Sequence, residues 1–274
     1  MKAIATVLIV AAVLVASAAT AGAVVGWCGN VWPVNGASYT SVDNIDVYVQ
    51  VWKAGVTDQP GQGVGIEAAL MFRCQGDTAY TNIGMTYNTD VGNNDEYTGI
   101  IPSGHGCAVV DFYCVITDLS DTTTCSGQDQ NANDPPFLLP ITEVTAQDVT
   151  VTFHMCLPTA VESSGEICVT GNHAELTSWG SGVVMEQECP GVSPRMFVVD
   201  VLFAAGSNPS VQYKFRKDAC TTWEGTGNHT FAIDDAGATM DLALDSWEFQ
   251  TADCPDCETP VEESTWGTVK ALYR

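Results

Sequence analysis

The stretch Val-Gln-Tyr-Lys-Phe-Arg-Lys, residues 211–217, reads most plainly as a β-strand. Tyr213 and Phe215 alternate around Lys214, so a strand turns both rings to a core and leaves the lysine outside. The same period of two recurs along the chain. It is seen in Asp-Val-Tyr-Val-Gln-Val-Trp (46–52), Ile-Glu-Ala-Ala-Leu-Met-Phe-Arg-Cys (66–74) and Ala-Val-Val-Asp-Phe-Tyr-Cys-Val-Ile-Thr (108–117). It returns in Asp-Val-Thr-Val-Thr-Phe-His-Met-Cys (148–156), Glu-Ile-Cys-Val-Thr-Gly-Asn (166–172) and Arg-Met-Phe-Val-Val-Asp-Val-Leu-Phe (195–203). Gly, Pro, Asn and Asp separate these runs, and no stretch has the apolar period of a helix of three turns. The pattern predicts an all-β chain of two tandem β-sandwiches.

The expected break lies in residues 126–147, where adjacent Pro135 and Pro136 follow a polar lead-in and Pro140 comes soon after. This divides the chain into domains at 24–147 and 148–252, followed by a tail at 253–274 that begins Pro- and Glu-rich. Residues 1–23 read as a cleaved signal peptide: Lys2, an apolar run from Ala3 to Val15, then Ala21-Gly22-Ala23. That run is short for a membrane span, and no other approaches the length, so the expected location is secreted or cell-surface. The tail's last residues, Ser-Thr-Trp-Gly-Thr-Val-Lys-Ala-Leu-Tyr-Arg (264–274), are read as a cell-surface docking or sorting segment, the alternative being a frayed amphipathic turn.

All eleven cysteines follow the leader, and an oxidising compartment makes disulfides their expected state, with at least one left over. Cys254-Pro-Asp-Cys257 is read as a structural disulfide rather than a redox or metal motif. A net charge of −24 argues against nucleic acid and anionic membranes as partners. The acidic loops at 90–96 and 129–134 are read as solvated turns, the latter lacking a calcium loop's sixth-position glycine and a terminal glutamate in register; no metal or cofactor is expected.

Five elements in order carry a family resemblance. Val-Thr-Val-Thr-Phe (149–153) precedes Gly165-Glu166 with Val169-Thr170-Gly171-Asn172; then come Glu175-Leu176 with Trp179, Tyr213-Lys214-Phe215, and Trp223-Glu224 with Asn228. Together they resemble the starch-binding domain, the family 20 carbohydrate-binding module. The resemblance implies a glucan site built from Trp179, Lys214, Trp223 and Asn228, with Glu224 beside them, and α-1,4-glucan such as starch or maltodextrin as the partner. Two angled indoles suit the apolar faces of successive sugar rings, while a lysine and an amide suit the hydroxyl rim. The glycines of the loop are expected to let Trp223 project. His229 stands where the family usually has Arg, and Thr177 stands where it usually has Gly, two residues before Trp179. Ser164 and Met196 occupy the family's second-site aromatic positions, so one site is expected rather than two. Trp247 is read as core.

Residues 24–147 resemble an Ig-like module of exported bacterial proteins through Val-Trp-Lys-Ala-Gly-Val-Thr-Asp-Gln-Pro-Gly (51–61) and Gly-Asn-Asn-Asp-Glu-Tyr (92–97). That likeness implies an inter-sheet disulfide between Cys74 and Cys114. No Gly-x-Ser-x-Gly elbow occurs, and the four histidines lack metal-ligand spacing. The reading is a non-catalytic, exported α-glucan binder. The rival is a surface scaffold or protein-interaction domain whose starch-binding-like part holds no sugar.

Overall fold

The computed structural model describes residues 24–188 and 195–249; the expected leader, tail and Cys254–Cys257 pair lie outside the described residues. Among the described residues the chain is nearly all β, in two curled sheets of sandwich-like architecture. It divides into two compact units. One holds the residues through Ala37, Asn44–Pro102 and Val109–Pro140; the other holds Ser38–Asp43, Ser103–Ala108 and the residues from Ile141. No helix in this range is long and apolar enough to cross a membrane.

The first strands are β1 (Trp27–Trp32), β2 (Tyr39–Thr40), β3 (Ile45–Trp52), β4 (Ile66–Cys74), β5 (Thr81–Val91), β6 (Asn94–Ile101), β7 (Val109–Asp118), β8 (Thr123–Cys125) and β9 (Phe137–Thr142). In the first unit they run in the order β1-β3-β6-β5-β4-β7-β9, with β8 on β7. Alternation sorts the faces: Val47, Val49 and Val51 of β3 are buried with Leu70, Phe112 and Phe137, while Trp52 looks outward. A buried ion pair, Lys53 Nζ to Asp118 Oδ2 at 2.5 Å, lies in this unit, and Ser120 also hydrogen-bonds the lysine. These partners hold the Asp118 carboxyl below its ordinary range although burial alone would raise it.

The Cys74–Cys114 bridge does not form. β4 and β7 are neighbours in one sheet, and their register sets Cys74 opposite Val110 and Cys114 opposite Leu70. The two cysteines are therefore offset by four residues, roughly 13 Å along the strands, beyond disulfide reach. Cys114 is the free cysteine among the described residues, and burial pushes its thiol up to about 12. Cys74 is disulfide-bonded, as are Cys107 and Cys156, and Cys28 pairs with Cys125.

The second unit carries β10 (Val149–Leu157), β11 (Ile167–Gly171), β12 (Val183–Gln187), β13 (Arg195–Phe203), β14 (Ser210–Lys217), β15 (Thr222–Trp223), β16 (His229–Ala232), β17 (Thr239–Asp241) and β18 (Asp245–Ser246). Their order is β15-β14-β11-β12-β13-β10-β17, with β16 on β14 and β18 on β10. The sheet curls around Val151, Phe153, Val169, Phe203, Phe215 and Trp247. Tyr213 and Phe215 enter this core and Lys214 stays at its boundary, as the alternation requires. A disulfide, Cys168–Cys220, ties β11 to the turn between β14 and β15.

Candidate functional site

Two turns at one end of the β11–β14–β15 edge each present a tryptophan. Thr177, Ser178 and Trp179 all adopt left-handed backbone, with φ of 64°, 48° and 63°. For residues with a Cβ this costs on the order of 1 kcal/mol each, so the turn needs external support. Gly180 N donates to Thr177 O at 2.8 Å, and Gly182 N donates to Thr177 Oγ1 at 2.9 Å. From below, buried Thr170 donates its hydroxyl to Leu176 O at 3.1 Å, and Leu176 plugs the core. Thr177, where the resemblance expects Gly, is thus a position where glycine's tolerance of positive φ is pertinent.

Trp223 sits opposite Arg216 in the β14–β15 register. The turn leading to it, Asp218-Ala219-Cys220, is also left-handed throughout, with φ of 56°, 55° and 61°, and the Cys168–Cys220 disulfide pins it. Neither Gly225 nor Gly227, the loop's two glycines, takes left-handed backbone. Instead the loop is fastened from within. Lys214 Nζ donates to Thr226 O and, at 3.5 Å, to Glu224 O; Gly225 N donates to Glu248 Oε1 at 3.1 Å.

The result is an indole pair with ring centroids 6.4 Å apart and planes inclined by 44°. Trp223 is 41% exposed and Trp179 partly so. Arg216 joins the two turns. Its guanidinium lies 4.5 Å from the Trp223 ring centre, and its Nη1 donates to Gly180 O at 2.5 Å. Such a cation–π contact covers and stiffens one side of Trp223. Asn228 is exposed, and its Nδ2 donates to Gln212 Oε1 at 3.0 Å.

Glu224 lies inward. Its Oε1 accepts from Phe215 N at 3.2 Å and stands 2.8 Å from His229 Nε2. On its other side buried His229 places Nδ1 2.5 Å from Asp245 Oδ2, and its ring stacks on Tyr213 with centroids 4.9 Å apart. Burial disfavours a charged imidazole, but the Asp245 hydrogen bond and the Glu224 pairing outweigh it and hold His229 up at about 9. Asp245 answers in the opposite sense: burial would raise it, and His229 with Tyr213 keeps it low. An imidazolium between two carboxylates therefore clamps the back of the Trp223 loop.

The structure thus brings Trp179 and Trp223 together, sets Lys214 and Glu224 behind them as loop anchors, and leaves Asn228 exposed on the same loop. Arg216, Gln212, His229 and Asp245 belong to the arrangement without having been singled out as contacts. Arg216 and Gln212 share the outward face of β14 with Lys214, a period-two signal that was present in the sequence. The clamp partner Asp245 carried no such signal. A cavity lined by Val161, Glu162, Ser164, Arg195, Lys217 and Asp218 contains neither indole.

Fold and geometry define an all-β module with an exposed, braced pair of aromatics. A family model for the starch binding domain matches residues 148–242. Three amylopullulanases match over 94 residues: that of Thermoanaerobacter thermohydrosulfuricus is 35% identical, that of Thermoanaerobacterium saccharolyticum 32% and that of Thermoanaerobacterium thermosulfurigenes 31%. Each match takes in 27% of this chain but only 6%, 7% and 5% of the respective relative, so the chain spans a small part of their length. Among solved structures, the family 15 glucoamylase from Hypocrea jecorina aligns at 23% identity over 40% of this chain and 20% of its own, with a TM-score of 0.31. A score that low bears on neither fold nor function.

Proposed function

We propose that this chain is an exported, non-catalytic α-glucan-binding protein, and that its second unit holds maltodextrin or starch on Trp179 and Trp223. The observation that carries the reading is the braced indole pair, 6.4 Å apart and inclined at 44°, within residues that match the starch binding domain. A pyranose has an apolar C–H face that an indole covers, and a 44° dihedral suits a chain that curves from one ring to the next. Asn228 and Gln212 supply amides to sugar hydroxyls. Lys214 and Glu224 act by holding the loop, and Lys214 retains an ammonium proton for the rim. Disulfide-bonded cysteines in both units fit an oxidising compartment.

One shallow site gives affinity on the order of micromolar to millimolar. Titration calorimetry with β-cyclodextrin or maltoheptaose tests it. Saturable binding at about one site, weakened at least about tenfold by Trp223→Ala, is the expected result. A folded protein giving no heat at millimolar ligand would sink the reading in favour of the scaffold alternative. Release of reducing sugar from starch by the purified chain would overturn its non-catalytic part.

A further inference from the structure

The outward face of the β1–β3–β6–β5 edge in the first unit carries three tryptophans that its core does not use. Trp27 and Trp52 stand directly opposite each other across β1 and β3, and Trp32 stands opposite Tyr48 two rows away. Trp27, Trp32 and Trp52 are 40%, 42% and 37% exposed, a large apolar area for a strand face to leave in water. Two glycines seat the first pair. A Cβ at Gly26 would collide with the Trp52 ring, and one at Gly29 would lie 2.7 Å from the Trp27 ring.

Between the two aromatic rows runs a polar one, joined side chain to side chain across four strands. Asn30 Nδ2 donates to Gln50 Oε1 at 3.0 Å, Gln50 Nε2 to Glu96 Oε2 at 3.2 Å, and Asn88 Nδ2 to Glu96 Oε1 at 2.8 Å. Each internal bond leaves Asn30 and Asn88, both exposed, with further donor and acceptor capacity toward solvent. Neighbouring rows on a strand face lie roughly 7 Å apart, so the bands read aromatic, amide, aromatic over roughly 13 Å.

We propose that this face is a second carbohydrate platform, binding a neutral polysaccharide laid along β1 and β3. Interleaved indoles and fixed amides match a ligand that itself alternates C–H faces with hydroxyl rims. A protein partner calls for the opposite layout, an apolar centre with the polar groups at its margin. None of these platform residues is basic, Glu96 is acidic, and the chain carries −24, so polyanionic glycans are disfavoured. Two weak platforms on one chain raise retention on a polymer through effective concentration, without either becoming tight.

The test uses the mature chain with Trp179→Ala and Trp223→Ala together, which takes both rings of the starch site out of the readout. Native gels cast with soluble starch, pullulan, mixed-linkage β-glucan or arabinoxylan report retardation. The expected result is retardation by at least one polymer, reduced at least about tenfold in apparent affinity when Trp27→Ala and Trp52→Ala are added. Should the double substitution fail to give a cooperative melt, Asn30→Gly decides. It removes the amide while tolerating the residue's φ of 51°, and it should also weaken retardation. Absence of retardation by all four polymers, or retardation indifferent to these substitutions, overturns the proposal. So does a dimer that Trp52→Ala dissociates, which would make the face a self-association surface. Because the starch reading is judged on the wild-type chain against Trp223→Ala, the two proposals fail separately.

Discussion

His229 shows how much one buried residue can alter a loop. It stands where the family resemblance expects Arg, yet it remains a cation, because Asp245 and Glu224 flank its ring at 2.5 Å and 2.8 Å. Its pKa is raised from an ordinary 6.5 to about 9, so the clamp's contribution is complete below about pH 6.5 and is lost as pH climbs through about 9. Asp245, held low, contributes above its ordinary range and loses its effect under acid. The linked contribution of His229 is on the order of 3 kcal/mol. Melting temperatures of wild type and His229→Gln should therefore differ most near about pH 6 and converge toward about pH 10. A gap that stays constant across that range would mean the imidazole acts as a neutral spacer.

At the scale of elements, both turns that carry tryptophans are left-handed over three consecutive residues, and each is braced differently. The Trp179 turn relies on Thr170, Thr177 and the buried Leu176, whereas the Trp223 turn relies on the Cys168–Cys220 disulfide. Ser178 is exposed at φ 48°, so Ser178→Gly should raise stability by about 0.5–1 kcal/mol, read as a shift of the urea midpoint. Destabilisation instead would show that Ser178 makes a contact worth more than its strain. The disulfide closes a separation of 52 residues, for which chain entropy gives about 4 kcal/mol. Cys168→Ala with Cys220→Ala should lose roughly that much in denaturant melts and also weaken glucan binding, since the Trp223 turn is freed. Loss of stability with affinity intact would separate the disulfide from the platform.

For the whole molecule, the charge of −24 is expected to govern solution behaviour and leave recognition alone. A neutral glucan has no charge for that field to act on. Affinity for maltoheptaose should change by less than roughly twofold between low salt and about 0.5 M, in calorimetry at one pH. A steep salt dependence would mean that charged groups of the Trp179–Trp223 site, rather than its indoles, govern maltoheptaose binding.

The sequence alone determined the all-β class, the inward Tyr213 and Phe215, the buried Trp247 and the starch-binding likeness of the second half. All of these rest on local periodicity or on short ordered motifs, which one strand or loop can display by itself. It failed where partners come from different strands. The Cys74–Cys114 pairing was misjudged because it depends on the β4–β7 register, which sets the two cysteines four residues apart. Left-handed backbone, which glycine tolerates best, is taken near the two indoles by non-glycine residues at 177–179 and 218–220, which the sequence does not announce. Side-chain contacts and a disulfide made elsewhere in the fold bear its cost. Only the tertiary structure could assemble the His229 clamp, the Arg216 bridge and the Trp27–Trp52 pair. Each joins residues brought together by strand pairing or packing, through distances that no single strand records.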